Sequence, residues 1–386
     1  MSRLAWDRLA AVTLLALPLA GASPRGRTLG VVPAPSPIVR ALPLVGIGVA
    51  VDEATGRAFV TQERGAVAVL DAGSGALLRT TAVGAGGQAA PVAVDAVSGR
   101  VFVVTRDTVA TLDARSGALL HTTRLAFPSA VAVAPALGRV YVAAQGGVAI
   151  LDARTGALLR TTRTPLSPAY SPYTIATDAR TGGVYEATEN PSTTIITALD
   201  ARTGRVRHMT QVGGVGPAAV VVAARAGRVF VVPGDMLDAS GRIVRRDIGG
   251  SEGYGDGAAV DERAGRVFIP EGGNAFVDVL DARSGATVRE ADVGQIPIGR
   301  PGVDEGAGRA YVLVQSEPDK NGNPIAPGTL AVLDARTGRV RRVMSLPDTV
   351  GGAAGQRAYE VAVDARTRRV FALADAKVVV LDATRL

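Results

Sequence analysis

Short runs of β-branched and aliphatic residues recur along this chain, and small turns that contain Asp and Gly separate them. One motif, "VAVDEATGRAFV" at residues 49–60, occurs in eight versions and alternates with a second motif. The second reads "LDAGSGALLRTT" at 70–81, "LDARSGALLHTT" at 112–123 and "LDARTGALLRTT" at 151–162. In most copies Asp stands four residues before Gly. Because Asp carboxylates accept backbone N–H bonds in turns and Gly adopts positive φ, both motifs predict β-hairpins.

Two hairpins supply four strands in each repeat of ~40–45 residues, which is the period of a β-propeller blade. The third residue after the Gly position of the first motif is aromatic in every copy: Phe59, Phe102, Tyr141, Tyr185, Phe230, Phe268, Tyr311 and Phe371. We expect these rings to pack between adjacent sheets.

The last repeat lacks its fourth strand, and the segment "PIVRALPLVG" at residues 37–46 matches the missing strand. A strand borrowed from the N-terminal end would remove the open sheet edges. We therefore predict an all-β fold: an eight-bladed β-propeller of four-stranded antiparallel blades, closed by the N-terminal strand completing the C-terminal blade.

The segments "VAVLDAGSGALLRTTAVG" (67–84) and "VAVDAVSGRVFV" (92–103) carry a family resemblance. Their alternation resembles the YVTN-type β-propeller repeat family, and the resemblance extends over residues 37–386. It implies the propeller fold and a secreted or cell-surface location, but no single activity.

The first 22 residues, "MSRLAWDRLAAVTLLALPLAGA", combine basic residues, an apolar run and a small-residue cleavage box. The run from Leu9 to Ala20 is too short to span a bilayer, which needs roughly 20 residues. We predict a signal peptide at 1–22, a Pro-rich linker at 23–36 and a single propeller domain at 37–386. The alternative is an uncleaved anchor. With cleavage, the mature chain has no transmembrane segment and is secreted or held in the cell envelope.

Composition excludes several classes of function. The chain has no Cys, which rules out disulfides and thiol chemistry. The net charge is +7, but the basic residues are scattered over the repeats rather than clustered, so we predict no nucleic-acid binding.

The second motif also resembles the A-x-D-x-x-x-G-x-x-x-W docking motif of quinoprotein dehydrogenases. The tryptophan column of that motif is occupied here by Arg79, His121, Arg160, His208, Glu290 and Arg342, and the chain's one Trp is Trp6. We predict no quinone cofactor and no other cofactor. The two His residues lie in different repeats, so we predict no catalytic triad and no metal site. Whether the loop at 316–328 binds calcium is left open, because Asp319, Asn321 and Asn323 alternate as calcium ligands do but the later ligand positions are missing.

Binding residues tend to lie on variable loops above a rigid scaffold. Here the connections between hairpins vary in length, whereas the turns inside the motifs are uniform. Five aromatic residues outside the packing column fall in these connections: Phe127, Tyr170, Tyr173, Tyr254 and Tyr359. The candidate ligand-binding set at the expected channel mouth is Tyr173, Tyr254, Asp256, Arg300, Tyr359 and Glu360.

Tyrosines with a few charges suit a peptide or a sugar better than they suit catalysis. We therefore predict a monomeric, non-enzymatic scaffold that binds an extracellular protein, peptide or glycan. The alternative is a propeller-type hydrolase or lactonase with Glu189, Asp256 and Glu271 around a metal in the central channel.

Overall fold

The computed structural model describes residues 36–84, 91–164, 171–190, 193–212, 219–232, 234–248, 257–315, 328–346, 359–374 and 377–386. These residues belong to one compact unit, Ser36–Leu386. The predicted signal and nearly all of the predicted linker lie outside the described residues, as does most of the loop at 316–328.

The described chain is almost entirely β-structure, and its strands are numbered here in chain order. Sheets 1 to 3 contain β2 (Gly46–Asp52), β3 (Arg57–Gln62), β4 (Ala66–Asp71), β5 (Leu77–Ala82); β6 (Val92–Asp95), β7 (Arg100–Val104), β8 (Thr108–Asp113), β9 (Leu119–Arg124); and β10 (Ala130–Ala134), β11 (Arg139–Ala144), β12 (Gly147–Asp152), β13 (Leu158–Arg163). Sheets 4 to 6 contain β14 (Ser171–Asp178), β15 (Gly183–Asn190), β16 (Thr193–Asp200), β17 (Val206–Val212); β18 (Ala219–Ala223), β19 (Arg228–Val232), β20 (Gly234–Asp238), β21 (Ile243–Ile248); and β22 (Ala259–Asp261), β23 (Arg266–Pro270), β24 (Phe276–Asp281), β25 (Thr287–Asp292).

The remaining strands form one eight-stranded sheet, whose halves we call sheets 7 and 8. Sheet 7 contains β26 (Ile296–Asp304), β27 (Arg309–Gln315), β28 (Thr329–Asp334) and β29 (Val340–Ser345); sheet 8 contains β30 (Glu360–Asp364), β31 (Arg369–Ala374), β32 (Lys377–Asp382) and β1 (Ile38–Leu42). One parallel bridge between Arg300 and Glu360 joins the halves. Strand β1 pairs antiparallel with β32, from Ile38 opposite Leu381 to Leu42 opposite Val378. The fold is thus all-β, with four-stranded antiparallel sheets consistent with a β-propeller.

Helical structure is confined to two 3-10 segments of three residues each in the described chain, Pro135–Leu137 and Ala383–Arg385. None of the described helices is long and apolar enough to cross a membrane. The fold is therefore carried by strands and turns.

The turns have the hydrogen bonds that their sequence predicts. Asp71 Oδ1 accepts bonds from the Ser74 backbone N–H at 2.9 Å and from its hydroxyl at 2.8 Å. These bonds, led by that of the backbone N–H, hold the pKa of the Asp71 carboxyl below its usual value. Gly75 closes the turn with a φ of 67°. The prediction that both motifs form hairpins through Asp and Gly is confirmed.

The aromatic column packs between neighbouring sheets, as predicted. All eight rings are fully buried. Phe59 of sheet 1, for example, lies in one apolar cluster with Val101 and Leu112 of sheet 2. Equivalent clusters join each sheet to the next, and a further cluster joins Phe371 of sheet 8 to Val60 of sheet 1. The core is therefore a series of apolar layers between sheets.

Polar side chains of the repeats also link neighbouring sheets. The Thr81 hydroxyl donates to the Gly117 carbonyl of sheet 2 at 2.7 Å, and Thr123 repeats the contact with Gly156 of sheet 3. The arginine that follows the turn of the first motif also links neighbouring sheets. Arg100 Nε of sheet 2, for example, donates to the Arg154 carbonyl of sheet 3 at 3.0 Å. Recurrence of "LDARTGALLRTT" thus reflects a turn and a sheet-to-sheet contact that occur together in sheets 1 to 3.

Candidate binding site at the channel mouth

The innermost strands of all eight sheets line one channel of about 700 Å³. The wall consists mainly of Val and Ala, from residues 49–51, 92–94, 131–133, 174–177, 219–222, 257–260, 300–303 and 360–363. Each innermost strand begins at one end of the channel and runs towards its Asp turn at the other end. We call the end where the strands begin the variable side. The turns lie on the other end, the turn side.

Arg300 and Glu360 form an ion pair on the variable side of this wall. Arg300 Nη1 lies 3.5 Å from Glu360 Oε1. Glu360 Oε2 accepts a hydrogen bond from the Val49 backbone N–H at 2.9 Å. One carboxylate therefore ties together the innermost strands of sheets 7, 8 and 1.

Glycine allows the strands to approach this closely. Gly299, at a φ of 71°, leaves room for the Tyr359 carbonyl, which a Cβ at that position would strike. The Arg300 backbone N–H donates to that carbonyl at 2.9 Å. On the other side, a Cβ on Gly257 would lie 2.8 Å from Arg300 Cα. The backbone around Arg300 is therefore held by close contacts on both sides.

The two charges of the pair have different environments. Burial raises the pKa of the Glu360 carboxyl, and the Arg300 guanidinium and the Val49 N–H oppose that increase. The Arg300 side chain, in contrast, is 63% exposed. Since a guanidinium has five N–H donors, Arg300 can bind an acceptor from solvent while Glu360 holds it in place.

Another predicted site residue, Tyr173, lies in sheet 4 on a different part of the channel wall. Tyr173 lies at an irregularity of β14, between Pro172 and Thr174, and is 46% exposed. Phe127, in the connection between sheets 2 and 3, is 63% exposed. Two aromatic residues predicted on the variable side are therefore available to solvent.

The structure brings together three of the six predicted site residues: Arg300, Tyr359 and Glu360. Tyr359 is partly buried against the apolar cluster of sheets 7 and 8, so it supports the mouth. Tyr173 lies on the same channel-lining strand as Thr174, in sheet 4, and so apart from Arg300 and Glu360 in sheets 7 and 8. Tyr254 and Asp256 lie outside the described residues.

Comparisons with known proteins agree with this architecture. Residues 21–171 match the family model described as PQQ_2: Outer membrane protein assembly factor BamB. No curated protein matches the chain significantly. The crystal structure of the computationally designed Ika8 protein is 15% identical with a TM-score of 0.62, over 89% of this chain and 98% of that one. Dihydro-heme d1 dehydrogenase NirN, solved in complex with DHE, is 15% identical with a TM-score of 0.67, over 87% and 72% of the two chains.

This chain is a β-propeller repeat protein. At 15% identity the two solved structures support the fold of the propeller and no activity. The family model matches less than half of the propeller chain and is of a different type from the YVTN repeat that the motifs resemble. The YVTN assignment therefore stays a prediction.

Of the three carboxylates in the hydrolase alternative, the two that the structure describes lie away from the propeller channel. Glu189 lies on β15, the second strand of sheet 4, and Glu271 follows β23 and accepts a bond from Asn274. Neither lines the channel, and Asp256 is outside the described residues. Across the described ranges no group of three His, Asp or Glu residues could hold a metal ion.

One buried carboxylate of the propeller, that of Glu186, is not among the residues singled out from the sequence. Glu186 of β15 is fully buried, and burial raises its pKa to about 8. The repeat contains the signal that would have found it. The residue after each column aromatic is apolar in the other seven sheets, and Glu186 breaks that pattern.

The outer-strand column that a quinoprotein fills with Trp also needs one correction. In sheet 6 the residue opposite Val279 is Arg289, whereas Glu290 lies opposite Asp278. The column position of sheet 6 is therefore Arg289 and not Glu290. Arg289 Nε donates to the Thr337 carbonyl of sheet 7 at 3.0 Å, which gives this position a role in linking sheets.

Proposed function

We propose that this propeller is a non-enzymatic binding scaffold, secreted or attached to the cell surface, which holds its ligand on the variable side. The ligand is an extracellular protein, peptide or glycan. The observation that carries the proposal is Arg300, whose guanidinium is exposed although its backbone and its carboxylate partner are fixed. Arginine and aromatic anchors that are held in place commonly dominate binding at such surfaces.

We further infer that the ring has eight blades and that β1 closes it. Support comes from the antiparallel pairing of β1 with β32 and from the bond that the Asp382 N–H donates to the Pro37 carbonyl at 2.7 Å. The apolar cluster between sheets 8 and 1 supports it as well. A closed ring would hold the mouth rigid, because its strands come from both sides of the closure.

The experiment is a binding screen of the purified protein against a glycan array and against solubilised cell-envelope fractions. The test variant combines Arg300→Gln with Tyr173→Ala. We expect it to lose at least tenfold in affinity for any ligand found, since such anchors contribute about 2 kcal/mol or more each. The matched control is Arg205→Gln, an exposed arginine in a turn on the opposite side.

Two results would overturn the proposal. One is a ligand whose affinity is unchanged in the test variant and reduced in the turn-side control. The other is turnover of a bound ester, lactone or glycoside by the wild-type protein, which would establish the hydrolase alternative. Thermal midpoints of all variants establish that each is folded.

A further inference from the structure

In sheets 1 to 7 the outermost strand has a bulge immediately after its turn. In sheet 1, Val69 pairs with Arg79 and Leu70 with Leu77, so Leu78 has no opposite residue. The same irregularity leaves Leu120 unpaired in sheet 2 and Leu159 in sheet 3. Where two residues of one strand lie opposite a single residue of its partner, the side chain of the extra residue points away from the sheet.

Leucine pairs occupy this bulge in three consecutive sheets. They are Leu77 and Leu78, Leu119 and Leu120, and Leu158 and Leu159, each between 41% and 53% exposed. We call these six residues the leucine rim. Single exposed apolar residues are ordinary, but here the same exposed pair recurs on three neighbouring sheets.

The fold does not require leucine at these positions. In sheets 4 and 7 the bulge residue is Arg207 or Arg341, which forms an ion pair with the turn carboxylate of its own sheet, Asp200 or Asp334. In sheets 5 and 6 it is the single exposed valine Val244 or Val288. The leucine pairs are therefore additional to what the turn and the bulge need.

The outer strands that carry the leucine rim are basic. The strands β5, β9 and β13 contain Arg and His but no carboxylate, whereas β25 contains Glu290 and Asp292. Arg79 and Arg160 follow the leucine pairs, are exposed and form no ion pair within the described residues. Exposed leucines next to unpaired arginines complement a surface that is apolar beneath a layer of negative charge.

We propose that the leucine rim docks the propeller on an anionic lipid bilayer. Leucines would enter the acyl boundary while the arginine that follows a docked leucine pair, Arg79 or Arg160, contacts phosphate groups. In the eight-bladed ring inferred above, neighbouring rims are turned relative to one another, so a flat bilayer meets two adjacent leucine pairs at a time. This surface lies on the outer circumference and leaves the variable side free.

The experiment is vesicle flotation of the purified protein, with phosphatidylglycerol–phosphatidylcholine vesicles and with pure phosphatidylcholine vesicles. The test variant is Leu78→Ser with Leu120→Ser and Leu159→Ser. The matched control is Val244→Ser with Val288→Ser, at the same bulge position of sheets 5 and 6. Thermal midpoints establish that both variants are folded.

We expect the wild-type protein and the valine control to float with anionic vesicles and only weakly with neutral ones. The leucine variant is expected to bind anionic vesicles at least tenfold more weakly, because every leucine pair loses one of the two side chains that would enter the acyl boundary. Absence of wild-type binding to anionic vesicles overturns the proposal and favours an acidic protein partner instead. Equal binding by the leucine variant also overturns it, since the attraction would then be unspecific charge.

Discussion

Glu186 lies directly opposite Thr197 on neighbouring strands of sheet 4, and both side chains are fully buried. Neither the carboxylate oxygens nor the Thr197 hydroxyl have a hydrogen-bond partner in the described residues. By strand alternation the pair faces sheet 3, with Val184 and Leu199 of the apolar cluster between these sheets. A buried carboxyl without a partner favours its protonated form.

Stability is therefore expected to fall as pH rises. The unfolded Glu186 carboxyl loses its proton near its ordinary pKa of 4.5, whereas burial keeps the folded one protonated up to a pKa of about 8. Between these values the folded state binds one more proton, so unfolding becomes easier by up to about 1.4 kcal/mol per pH unit. Urea unfolding of wild type and Glu186→Gln from pH 4 to pH 9 measures this difference.

Glu186→Gln should match wild type near pH 4 and exceed its stability by several kcal/mol above pH 8. The control is Glu290→Gln, which changes an exposed glutamate on an outer strand. Parallel curves for wild type and Glu186→Gln would mean that Glu186 is not the group that titrates.

Two tyrosines of the aromatic column should respond oppositely to loss of their hydroxyls. The Tyr185 hydroxyl donates to the Ala239 carbonyl of sheet 5 at 2.7 Å. The buried Tyr311 hydroxyl lies beside Arg309, which donates to the Ala383 carbonyl at 2.6 Å, and it has no partner of its own in the described chain. Tyr185→Phe is expected to cost about 1 kcal/mol, whereas Tyr311→Phe should be neutral or stabilising. The denaturant midpoints of the two variants measure these changes in stability. Equal losses of stability in both variants would contradict the assignment of these hydrogen bonds.

Arg368 occupies a backbone conformation that favours glycine. Its φ is 56°, and the seven equivalent positions are glycines with φ between 59° and 66°, such as Gly265 and Gly308. Its side chain is exposed. Arg368→Gly is therefore expected to raise stability by about 1 kcal/mol. The converse control, Gly265→Ala, meets no atom within 4 Å and should lower stability by a similar amount. A fall in the thermal midpoint of Arg368→Gly would show that the backbone at Arg368 is not strained.

Ring closure through β1 predicts the effect of truncation. Deleting residues 23–46 should expose the edge of β32 and cause aggregation or a large fall in thermal midpoint. Deleting only 23–35 keeps β1 and should leave the midpoint unchanged. Light scattering and calorimetry measure both. A monomeric protein with an unchanged midpoint after the longer deletion would rule out closure by β1.

The repeat determined much of this protein by sequence alone. Periodic placement of Asp, Gly and one aromatic residue predicts hairpins, four-stranded sheets and the layer of rings between them, because each depends on contacts within a repeat or between neighbouring ones. The same register places Arg300 and Glu360 next to the inner strands on the variable side. Sequence also contained the exception at Glu186, since one carboxylate stands where seven repeats have apolar residues.

Only the tertiary structure decided how distant segments meet. Val49 and Glu360 are 311 residues apart, and their hydrogen bond arises because sheet 8 packs against sheet 1. The clearance that Gly299 gives to the Tyr359 carbonyl, and the exposure of Leu78 at a bulge, depend equally on backbone positions that no local pattern specifies. Contacts between neighbours in the repeat follow from residue type and spacing, whereas contacts across the closure follow from where the whole series of sheets brings its two ends.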